Sequence, residues 1–487
     1  MQGEEREAIR DLIRGYEKDA DPFRFKSAGW CAWPIYRFRI ALRLLAHTGG
    51  DRYGEPSEEN TPGIPRMMKE LADALPYQLF GLWRASRGHT LVMGKSGQGW
   101  RRDLVGGRMY DMSFDFLEEA LDGFTLSESC TSRQRGNPYP SIFDEYAYPY
   151  RFVSQMRHLR PGTTLEDELL ADFSGWLRKS EFAASYGVPA VLTRRGLVTR
   201  FLADMHYWRL IFKVIRPRLF LLVCSYGQEA PVAAARSLGI PVWELQHGMI
   251  SEYHFGYSYG EEARTHADAL PLPERIITFG RFFSDALLSC GYWTEAQVPP
   301  LGFPRLAHFK GEYQRKRRGE LTVLVSTQWT LEDEYFDFIS RSLELFPEGV
   351  KLIAKPHPRS LPRSISRLET LSSERFEVVD RSVSFYDSVV GVDIHCAAYS
   401  TTLLETVGLG LPTVIMGLPG WENVAVLQEK GSAELVKSPQ DLAELVRKSL
   451  EIPGFYDDWR SRSGDSEGYF FEPYHVESAR AMFSQAY

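Results

Sequence analysis

A strand–helix alternation that occurs twice constrains the fold of this chain more than any other feature. Short apolar runs, typical of buried strands, alternate with longer helical segments from Arg218 to Pro304 and again from Leu321 to Met416. The runs lie at 218–224, 241–246 and 275–280, and then at 321–326, 350–354, 376–379, 391–396 and 412–416. Such alternation predicts parallel sheets covered by helices. The sequence therefore predicts an α/β protein with two Rossmann-like domains that face a central cleft.

A polar, basic stretch separates the two alternations. The first alternation stops at Gly302–Arg305, and Lys310–Arg318 follows without an apolar run. A chain of 487 residues is too long for a single core. We therefore expect a helical N-terminal extension with a mobile loop (1–64), a first Rossmann-like domain (65–305), a linker (306–318) and a second Rossmann-like domain (319–487).

The composition argues against several classes of function. A net charge of −7 gives no sign of the basic footprint that nucleic-acid binding needs, so no nucleic acid is expected as a partner. The five cysteines are scattered and lack Cys-x-x-Cys spacing, which favours a reducing, cytoplasmic compartment over disulfides or zinc. We expect no signal peptide, because the N-terminus Met1–Arg6 is acidic and polar. We expect no membrane span, because no apolar run reaches roughly 18 residues.

The segment 34–47 predicts a helix with two open interpretations. Pro34 suits a first helical turn. Arg39 and Arg43 share one face, Arg37 points away, and the apolar residues are not confined to one stripe. Such a helix could dock peripherally on a membrane. It could also be a core helix whose arginines extend toward solvent, which is the interpretation we favour.

The turn Lys355-Pro-His-Pro358 follows a strand of the second half. Lys355 offers a point charge and His357 an imidazole donor at the carboxyl end of that strand, where open α/β sheets bind ligands. The two prolines restrict the turn around His357. A lone histidine is more often structural, but this setting favours a phosphate site.

A second turn, Tyr399-Ser-Thr-Thr402, opens a predicted helix that contains Glu405. Ser400 is expected to cap this helix, with Thr401 and Thr402 in its first turn. A helix N-terminus attracts phosphate, and a carboxylate such as Glu405 can accept hydrogen bonds from ribose hydroxyls. The alternative is an ordinary capping motif with a solvated glutamate.

The first half delivers Gln246-His247-Gly248 to the end of a strand. His247 is a candidate general base, and Gly248 would allow a close approach. Glu252 and His254 follow in the same loop, and either is an alternative catalytic group. Gln246 and Gly248 are candidate contacts to an acceptor.

A glycine-rich loop, Gly94–Trp100, follows a short apolar strand near residue 90. It lacks the order of a P-loop and is one glycine short of the dinucleotide fingerprint. It is either a flexible turn or a further part of the cleft. On the second interpretation, the candidate contacts to an acceptor are Ser96, Arg101, Arg102 and Asp111.

Taken in order, the motifs Gln-His-Gly, Gly-x-Pro-Arg, Lys-Pro-His-Pro and Ser-Thr-x-x-x-Glu resemble those of GT-B glycosyltransferases of bacterial surface-polysaccharide synthesis. The resemblance covers roughly residues 216–416 and is nearest to the sialyltransferases and Kdo transferases with a His-Pro motif. CDP-glycerol glycerophosphotransferases carry a similar set. Ala397 stands where retaining enzymes with Glu-x7-Glu have an acid, and the Asp-Ser-Gly-Gly of UDP-GlcNAc 2-epimerases is absent.

The resemblance implies a GT-B fold and a site shared by two domains. It implies that His357, Ser400 and Thr401 contact the phosphate of a CMP- or CDP-linked donor, with His247 near the reacting centre. The expected activity is sugar transfer from a nucleotide-sugar donor, most simply CMP-linked Kdo or a sialic-acid-type sugar, to a glycan or lipid-linked glycan. Neither cofactor nor metal is expected, because Lys355, His357 and the Ser400 turn can neutralise the leaving phosphate. The alternatives are a CDP-polyol phosphotransferase and a catalytically inactive scaffold.

Overall fold

A computed structural model provides the coordinates of this protein. The structure describes residues 2–48, 79, 82–83, 85–87, 90–95, 102–105, 108–111, 113–128, 141–143, 163–189, 196–312, 321–381, 383–465 and 467–486. Apart from Thr48, the mobile loop predicted at 48–64 lies outside these ranges, as do Ser96 and Arg101.

Among the described residues, sixteen strands form two large sheets and two small hairpins. They are β1 (Lys26–Ser27), β2 (Trp30–Cys31), β3 (Val92–Lys95), β4 (Arg102–Val105), β5 (Arg108–Asp111), β6 (Phe124–Glu128), β7 (Ser141–Phe143), β8 (Leu219–Val223), β9 (Val242–Leu245), β10 (Arg275–Ile277), β11 (Leu321–Ser326), β12 (Val350–Lys355), β13 (Phe376–Val378), β14 (Ile394–Ala397), β15 (Thr413–Met416) and β16 (Glu434–Val436). The pairs β1–β2 and β4–β5 are antiparallel.

The α-helices that the structure describes cover the faces of both sheets. They are α1 (Gln2–Ala20), α2 (Trp33–His47), α3 (Thr163–Leu177), α4 (Glu181–Tyr186), α5 (Leu197–Ile215), α6 (Glu229–Arg236), α7 (Arg281–Ser289), α8 (Pro304–Glu312), α9 (Glu332–Leu345), α10 (Pro362–Glu369), α11 (Phe385–Val389), α12 (Thr402–Gly408), α13 (Ala425–Glu429), α14 (Pro439–Glu451), α15 (Phe455–Asp465), α16 (Glu467–Phe470) and α17 (Val476–Ser484).

Each large sheet has six strands within the described ranges, and all of them run parallel. The first has the order β10-β9-β8-β3-β6-β7, and the second has the order β13-β12-β11-β14-β15-β16. The central strands are apolar and buried along their length, as expected of strands with helices on both faces. These two sheets confirm the predicted fold class, GT-B with two Rossmann-like domains and a helical N-terminal extension.

The N-terminal helices α1 and α2 belong to the core of the first domain. Arg37 on α2 is fully buried and forms an ion pair with Glu17 on α1, with 2.6 Å between Nε and Oε1. The Arg37 guanidinium also donates to the carbonyl oxygens of Phe255 and Ser258. The core interpretation of segment 34–47 is therefore confirmed. Arg37 does not extend toward solvent, because it anchors the loop that follows β9.

The last helices cross back onto the first domain. Phe483 of α17 packs against Trp243 of β9, with ring centroids 6.2 Å apart. Gly280 lies so close to the backbone of Phe470 that a Cβ there would be 2.4 Å from the carbonyl oxygen. The sequence boundary at 319–487 places α16 and α17 in the second domain, whereas α17 packs on the first domain and α16 contacts both. The C-terminal helices therefore connect the two domains by packing.

Some strands were not expected from sequence. The strands β6, β7 and β16 are short, and β16 is only partly buried, so none shows a long apolar run. The helix α8 extends to Glu312, inside the predicted linker. Of the described helices, none is both long and apolar enough to span a membrane.

Candidate functional site

The turn after β9 is held by a buried glutamine. The Gln246 side chain accepts a hydrogen bond from the backbone N–H of Phe279 (2.7 Å) and donates one to the carbonyl of Gly248 (2.7 Å). Both polar ends of the amide are therefore used inside the protein. Gln246, a candidate acceptor or cleft residue, therefore holds the shape of the His247–Gly248 turn, and its role towards an acceptor stays a prediction.

His247 lies at the carboxyl end of β9 beside the end of β8. Its Nε2 is 3.0 Å from the hydroxyl of Tyr226. Burial lowers the pKa of His247 to about 4, because the charged imidazolium loses solvation. At neutral pH the ring is therefore uncharged, which is the form that a general base requires.

His254 lies in the same cluster as His247. Its Nδ1 accepts the backbone N–H of Gly256 at 3.2 Å, and its ring centroid is 5.1 Å from that of Tyr226. Burial, followed by the nearby His247, lowers the pKa of His254 to about 3. The structure therefore brings both histidines together around Tyr226.

Glu252 takes part in a different set of interactions. It lies beside Tyr253, whose pKa is raised first by a hydrogen bond to Glu252. The Arg10 guanidinium of α1 stacks 4.7 Å from the Tyr253 ring centroid. None of the interactions described for Glu252 involves His247, so the structure places this carboxylate toward α1.

A buried carboxylate in β9 was not anticipated. Glu244 is fully buried and accepts a hydrogen bond from the hydroxyl of Tyr257. Burial raises the pKa of Glu244 to about 7, against the opposing effect of hydrogen bonds from Ser225 and Tyr257. A perturbed acid next to a histidine turn is typical of functional sites. The available signal was a single acid inside the apolar run Val242-Trp-Glu-Leu245.

Lys355 is the last residue of β12, at the carboxyl edge of the second sheet. It is buried, and its Nζ lies 3.4 Å from the carbonyl oxygen of Asp380 and 3.3 Å from that of Arg381. Lysine donors directed at backbone carbonyls hold a loop in place. The hydrogen bonds described for Lys355 therefore support a positioning role for the loop after β13.

His357 follows in a turn with a defined ring orientation. Its ring Nδ1 accepts a hydrogen bond from the backbone N–H of Arg359 at 3.0 Å. The backbone N–H of His357 donates to the Thr327 hydroxyl, with 3.4 Å between nitrogen and oxygen. In a neutral imidazole an acceptor at Nδ1 leaves the ring proton on Nε2. His357 therefore presents an Nε2–H donor from a partly buried ring.

The helix that contains Glu405 begins one residue later than expected. α12 starts at Thr402, and Thr401 occupies the cap position without a side-chain cap hydrogen bond. The Ser400 hydroxyl accepts the Thr402 N–H at 3.3 Å. Ser400 thus supports the first turn from outside the helix, Thr401 is exposed, and Glu405 is half-buried.

A buried histidine holds α12 on the second sheet. His395 in β14 lies 2.9 Å (Nε2) from the Ser326 hydroxyl and 3.1 Å (Nδ1) from the Thr406 hydroxyl. Burial lowers the pKa of His395 to about 3. This neutral ring connects the ends of β11 and α12, and so it fixes the helix that carries Glu405.

The two carboxyl edges meet across the cleft between the domains. A Cβ placed on Gly248 would lie 3.6 Å from the methyl group of Thr401. The histidine turn of the first domain therefore faces the hydroxyl turn of the second. Within the first domain, Gly256 packs closely against Tyr226, because a Cβ on Gly256 would lie 2.4 Å from the Tyr226 ring.

Few residues of the predicted glycine-rich loop and the segment after it lie within the described ranges. Ser96 and Arg101 lie outside the described residues, and of Arg102 only the backbone in β4 is described. Asp111 is buried, and its Oδ1 accepts the N–H groups of Ser113 and Phe114 at 3.0 Å. These hydrogen bonds stabilise the turn at Asp111, and its expected place in the cleft stays a prediction. Within the ranges given above, no group of three or more metal-ligating side chains is assembled.

Comparisons with known proteins return structural similarity only. No family model and no curated protein matches the chain. Among solved structures, the wall teichoic acid polymerase TagF covers 87% of this chain and 95% of its own, at 9% identity and a TM-score of 0.46. MurG of Acinetobacter baumannii covers 81% and 99%, at 9% identity and a TM-score of 0.46.

A third similar structure is UDP-GlcNAc 2-epimerase from Neisseria meningitidis bound to UDP-GlcNAc. It covers 81% of this chain and 98% of its own, at 14% identity and a TM-score of 0.44. Similarity at this level carries no conclusion about activity, so the functional argument rests on the residues of the site.

Proposed function

We propose that this protein is a glycosyltransferase that moves a sugar from a nucleotide-activated donor to a glycan acceptor. The observation that carries the proposal is the approach of Gly248 to Thr401, because it joins the carboxyl edges of two parallel sheets in one site. Ligands of open α/β sheets bind at these edges. A nucleotide donor on the second sheet would face the histidine turn of the first.

The donor that we favour is CMP-linked and carries a sugar of the Kdo or sialic-acid type. The acceptor would be a glycan or lipid-linked glycan of capsule or lipopolysaccharide synthesis in the cytoplasm. This choice rests on the sequence resemblance around His357 and Ser400. We also propose that the reaction requires neither a metal ion nor a cofactor.

In the proposed reaction His247 is the general base. The acceptor hydroxyl oxygen bonds to the anomeric carbon, the bond from that carbon to the donor phosphate oxygen breaks, and the hydroxyl proton passes to the imidazole. With its pKa lowered to about 4, the ring is neutral at neutral pH and is a weaker base than a solvated histidine. The Tyr226 hydroxyl, 3.0 Å away, would orient the ring.

On the donor side, His357 would donate its Nε2–H to the phosphate that leaves. The Ser400, Thr401 and Thr402 hydroxyls would add donors next to it, and Glu405 would accept hydrogen bonds from the ribose. We now assign Lys355 to holding the loop at Asp380, because its Nζ lies within hydrogen-bond distance of that carbonyl.

The decisive test is the variant His357→Ala assayed against CMP-, CDP-, UDP- and GDP-linked donors. We expect nucleotide release with one class of donor in the wild type and its loss in the variant, which should stay folded. His475→Ala is a matched control, because His475 is exposed and makes no side-chain cap hydrogen bond. Full activity in His357→Ala would overturn the assignment.

The same screen separates the alternatives. A CDP-polyol phosphotransferase would release CMP and leave the polyol phosphate on the product, whereas a sugar transferase leaves the phosphate with the nucleotide. An inactive scaffold would show no nucleotide-induced shift in thermal unfolding with any donor.

A further inference from the structure

A short segment between the two proposed phosphate-binding turns has no role in the reaction described above. It is Thr327–Thr330, which follows β11 and leads into α9. In the second sheet β11 lies between β12, which is followed by the His357 turn, and β14, which is followed by the Ser400 turn. Parallel strands bring their carboxyl ends to one edge, so the segment lies between these two turns. We call Thr327–Thr330 the β11 loop.

The strand order places a ligand crevice beside the β11 loop. From β11 the chain adds β12 and β13 to one side of it and then β14, β15 and β16 to the other. The order therefore reverses between β11 and β14. Open α/β sheets bind ligands in the crevice at such a reversal, because the connections after the two strands leave toward opposite faces. The β11 loop is one wall of this crevice, and the Ser400 turn is the other.

Hydrogen bonds fix both ends of the β11 loop. The backbone N–H of Thr327 donates to the carbonyl of Lys355 at 3.0 Å, and the Thr327 hydroxyl accepts the backbone N–H of His357 at 3.4 Å. At the other end, the hydroxyls of Thr330 and Tyr399 form a hydrogen bond. The loop is therefore held on both neighbouring turns, and its two middle residues lie between fixed points.

The two middle residues, Gln328 and Trp329, carry unused binding capacity. Gln328 is only 9% exposed, and Trp329 is half-buried. Within the described part of the chain, neither side chain has a hydrogen-bond partner, and the indole contacts no other ring. Trp329 also lies outside the described hydrophobic clusters. Because burying an amide without a partner costs free energy, this pair is suited to a ligand and not to the core.

An amide beside an indole matches the surface of a sugar. A pyranose ring has an apolar face of C–H groups, which an aromatic ring covers, and hydroxyls at its rim. The amide of Gln328 supplies both donors and an acceptor for such hydroxyls.

A nucleobase is also flat, but in a CMP-linked donor the ribose separates it from the phosphate. Only the ribose and the transferred sugar are bonded to that phosphate directly. The ribose is assigned to Glu405, which leaves the sugar as the ring for the β11 loop, next to both phosphate-binding turns.

We propose that Gln328 and Trp329 form the subsite for the transferred sugar of the donor. Trp329 covers the apolar face of the sugar, and Gln328 exchanges hydrogen bonds with its hydroxyls. This assignment rests on the proposed function, because it names what holds the sugar in that reaction. It makes the two residues determinants of donor specificity, since they contact the part of the donor that differs among sugars attached to one nucleotide.

The test is calorimetric titration of the full chain with CMP-sialic acid and, separately, with CMP. If the screen of donors selects another nucleotide, its sugar-linked and free forms replace this pair. We expect Trp329→Ala to raise the Kd of the sugar-linked form about tenfold and Gln328→Ala to raise it about fivefold. The Kd of free CMP should change by less than about twofold, because no sugar is present. Trp329→Phe keeps an aromatic face and should recover most of the affinity.

Trp176→Ala is the matched control. Trp176 is also half-buried, but it packs against Tyr16, with ring centroids 5.5 Å apart. This variant should lower the melting temperature and leave both dissociation constants unchanged. Trp329→Ala should leave the melting temperature nearly unchanged, because its ring lies outside the described hydrophobic clusters.

Two results would overturn the sugar subsite. One is an equal loss of affinity for CMP and CMP-sialic acid in Trp329→Ala, because the ring would then contact the nucleoside. The other is unchanged binding of both. Failure of the proposed function is a different result, namely a wild type that binds none of the nucleotides or donors in the screen, and the sugar subsite would fall with it.

Discussion

Replacing Glu244 by glutamine should stabilise this protein at alkaline pH and have little effect in acid. Glu244 is fully buried, and its carboxylate is desolvated to the extent that its pKa rises to about 7 from an ordinary value of 4.5. A carboxyl whose pKa is raised by folding stabilises the protein below its unfolded pKa. That contribution is lost as the pH rises through the folded pKa.

The size of the effect follows from the two pKa values. A difference between about 7 and 4.5 corresponds to about 3 kcal/mol of lost stability above pH 8. Glutamine has nearly the same shape, keeps an oxygen for the Tyr257 hydroxyl and carries no charge. The variant should therefore lack this loss, since no charge has to be desolvated.

The assay is urea unfolding of wild type and Glu244→Gln at pH 5 and pH 8. We expect similar free energies of unfolding at pH 5 and a variant that is more stable by about 3 kcal/mol at pH 8. Glu295→Gln, at an exposed position, controls for the general effect of removing a negative charge. A variant that is equally destabilised at both pH values would refute the reasoning, because the carboxylate would then be a charged, fully satisfied acceptor.

Three further predictions concern the supports of the site. Arg37→Met should cost about 3–5 kcal/mol in the free energy of unfolding, because it leaves Glu17 buried without its partner, and adding Glu17→Gln should recover part of that loss. Gly256→Ala should lower both the melting temperature and the rate of transfer, because its Cβ would meet the Tyr226 ring at 2.4 Å; unchanged values of both would contradict the predicted clash. His395 should show no NMR titration between pH 8 and pH 5, because burial lowers its pKa to about 3; a midpoint near 6.5 would contradict the buried network.

Much of the fold was accessible from sequence because it depends on local patterns. The second half shows this best, since the predicted strand 321–326 has the same bounds in the structure. Apolar runs and helical periodicity are local properties of the chain. By contrast, β6, β7 and β16 are short strands with mixed polarity, and they form only because a neighbouring strand is present to pair with them.

The candidate site was accessible in part. The positions of His247 and Ser400 at strand ends follow from the order of the elements, because parallel strands bring their carboxyl ends to one edge. The sequence could not show that both polar ends of the Gln246 side chain would form hydrogen bonds with the backbone. It also could not show that the Lys355 ammonium would donate to carbonyl groups of another loop. Phe279, which donates to Gln246, and Asp380, which accepts from Lys355, lie 33 and 25 residues away along the chain.

By itself, the sequence determined that this chain forms two parallel-sheet domains and which turns lie at their carboxyl edges. The tertiary structure alone decided which side chains act on one another there. It set Gly248 against Thr401, buried Glu244 until its pKa reached about 7, and sent the last helices back to the first domain. The physical reason is the distance along the chain over which each property is set. Secondary structure follows from neighbouring residues, whereas the burial, pKa and contacts of a side chain depend on residues that only the folded chain brings together.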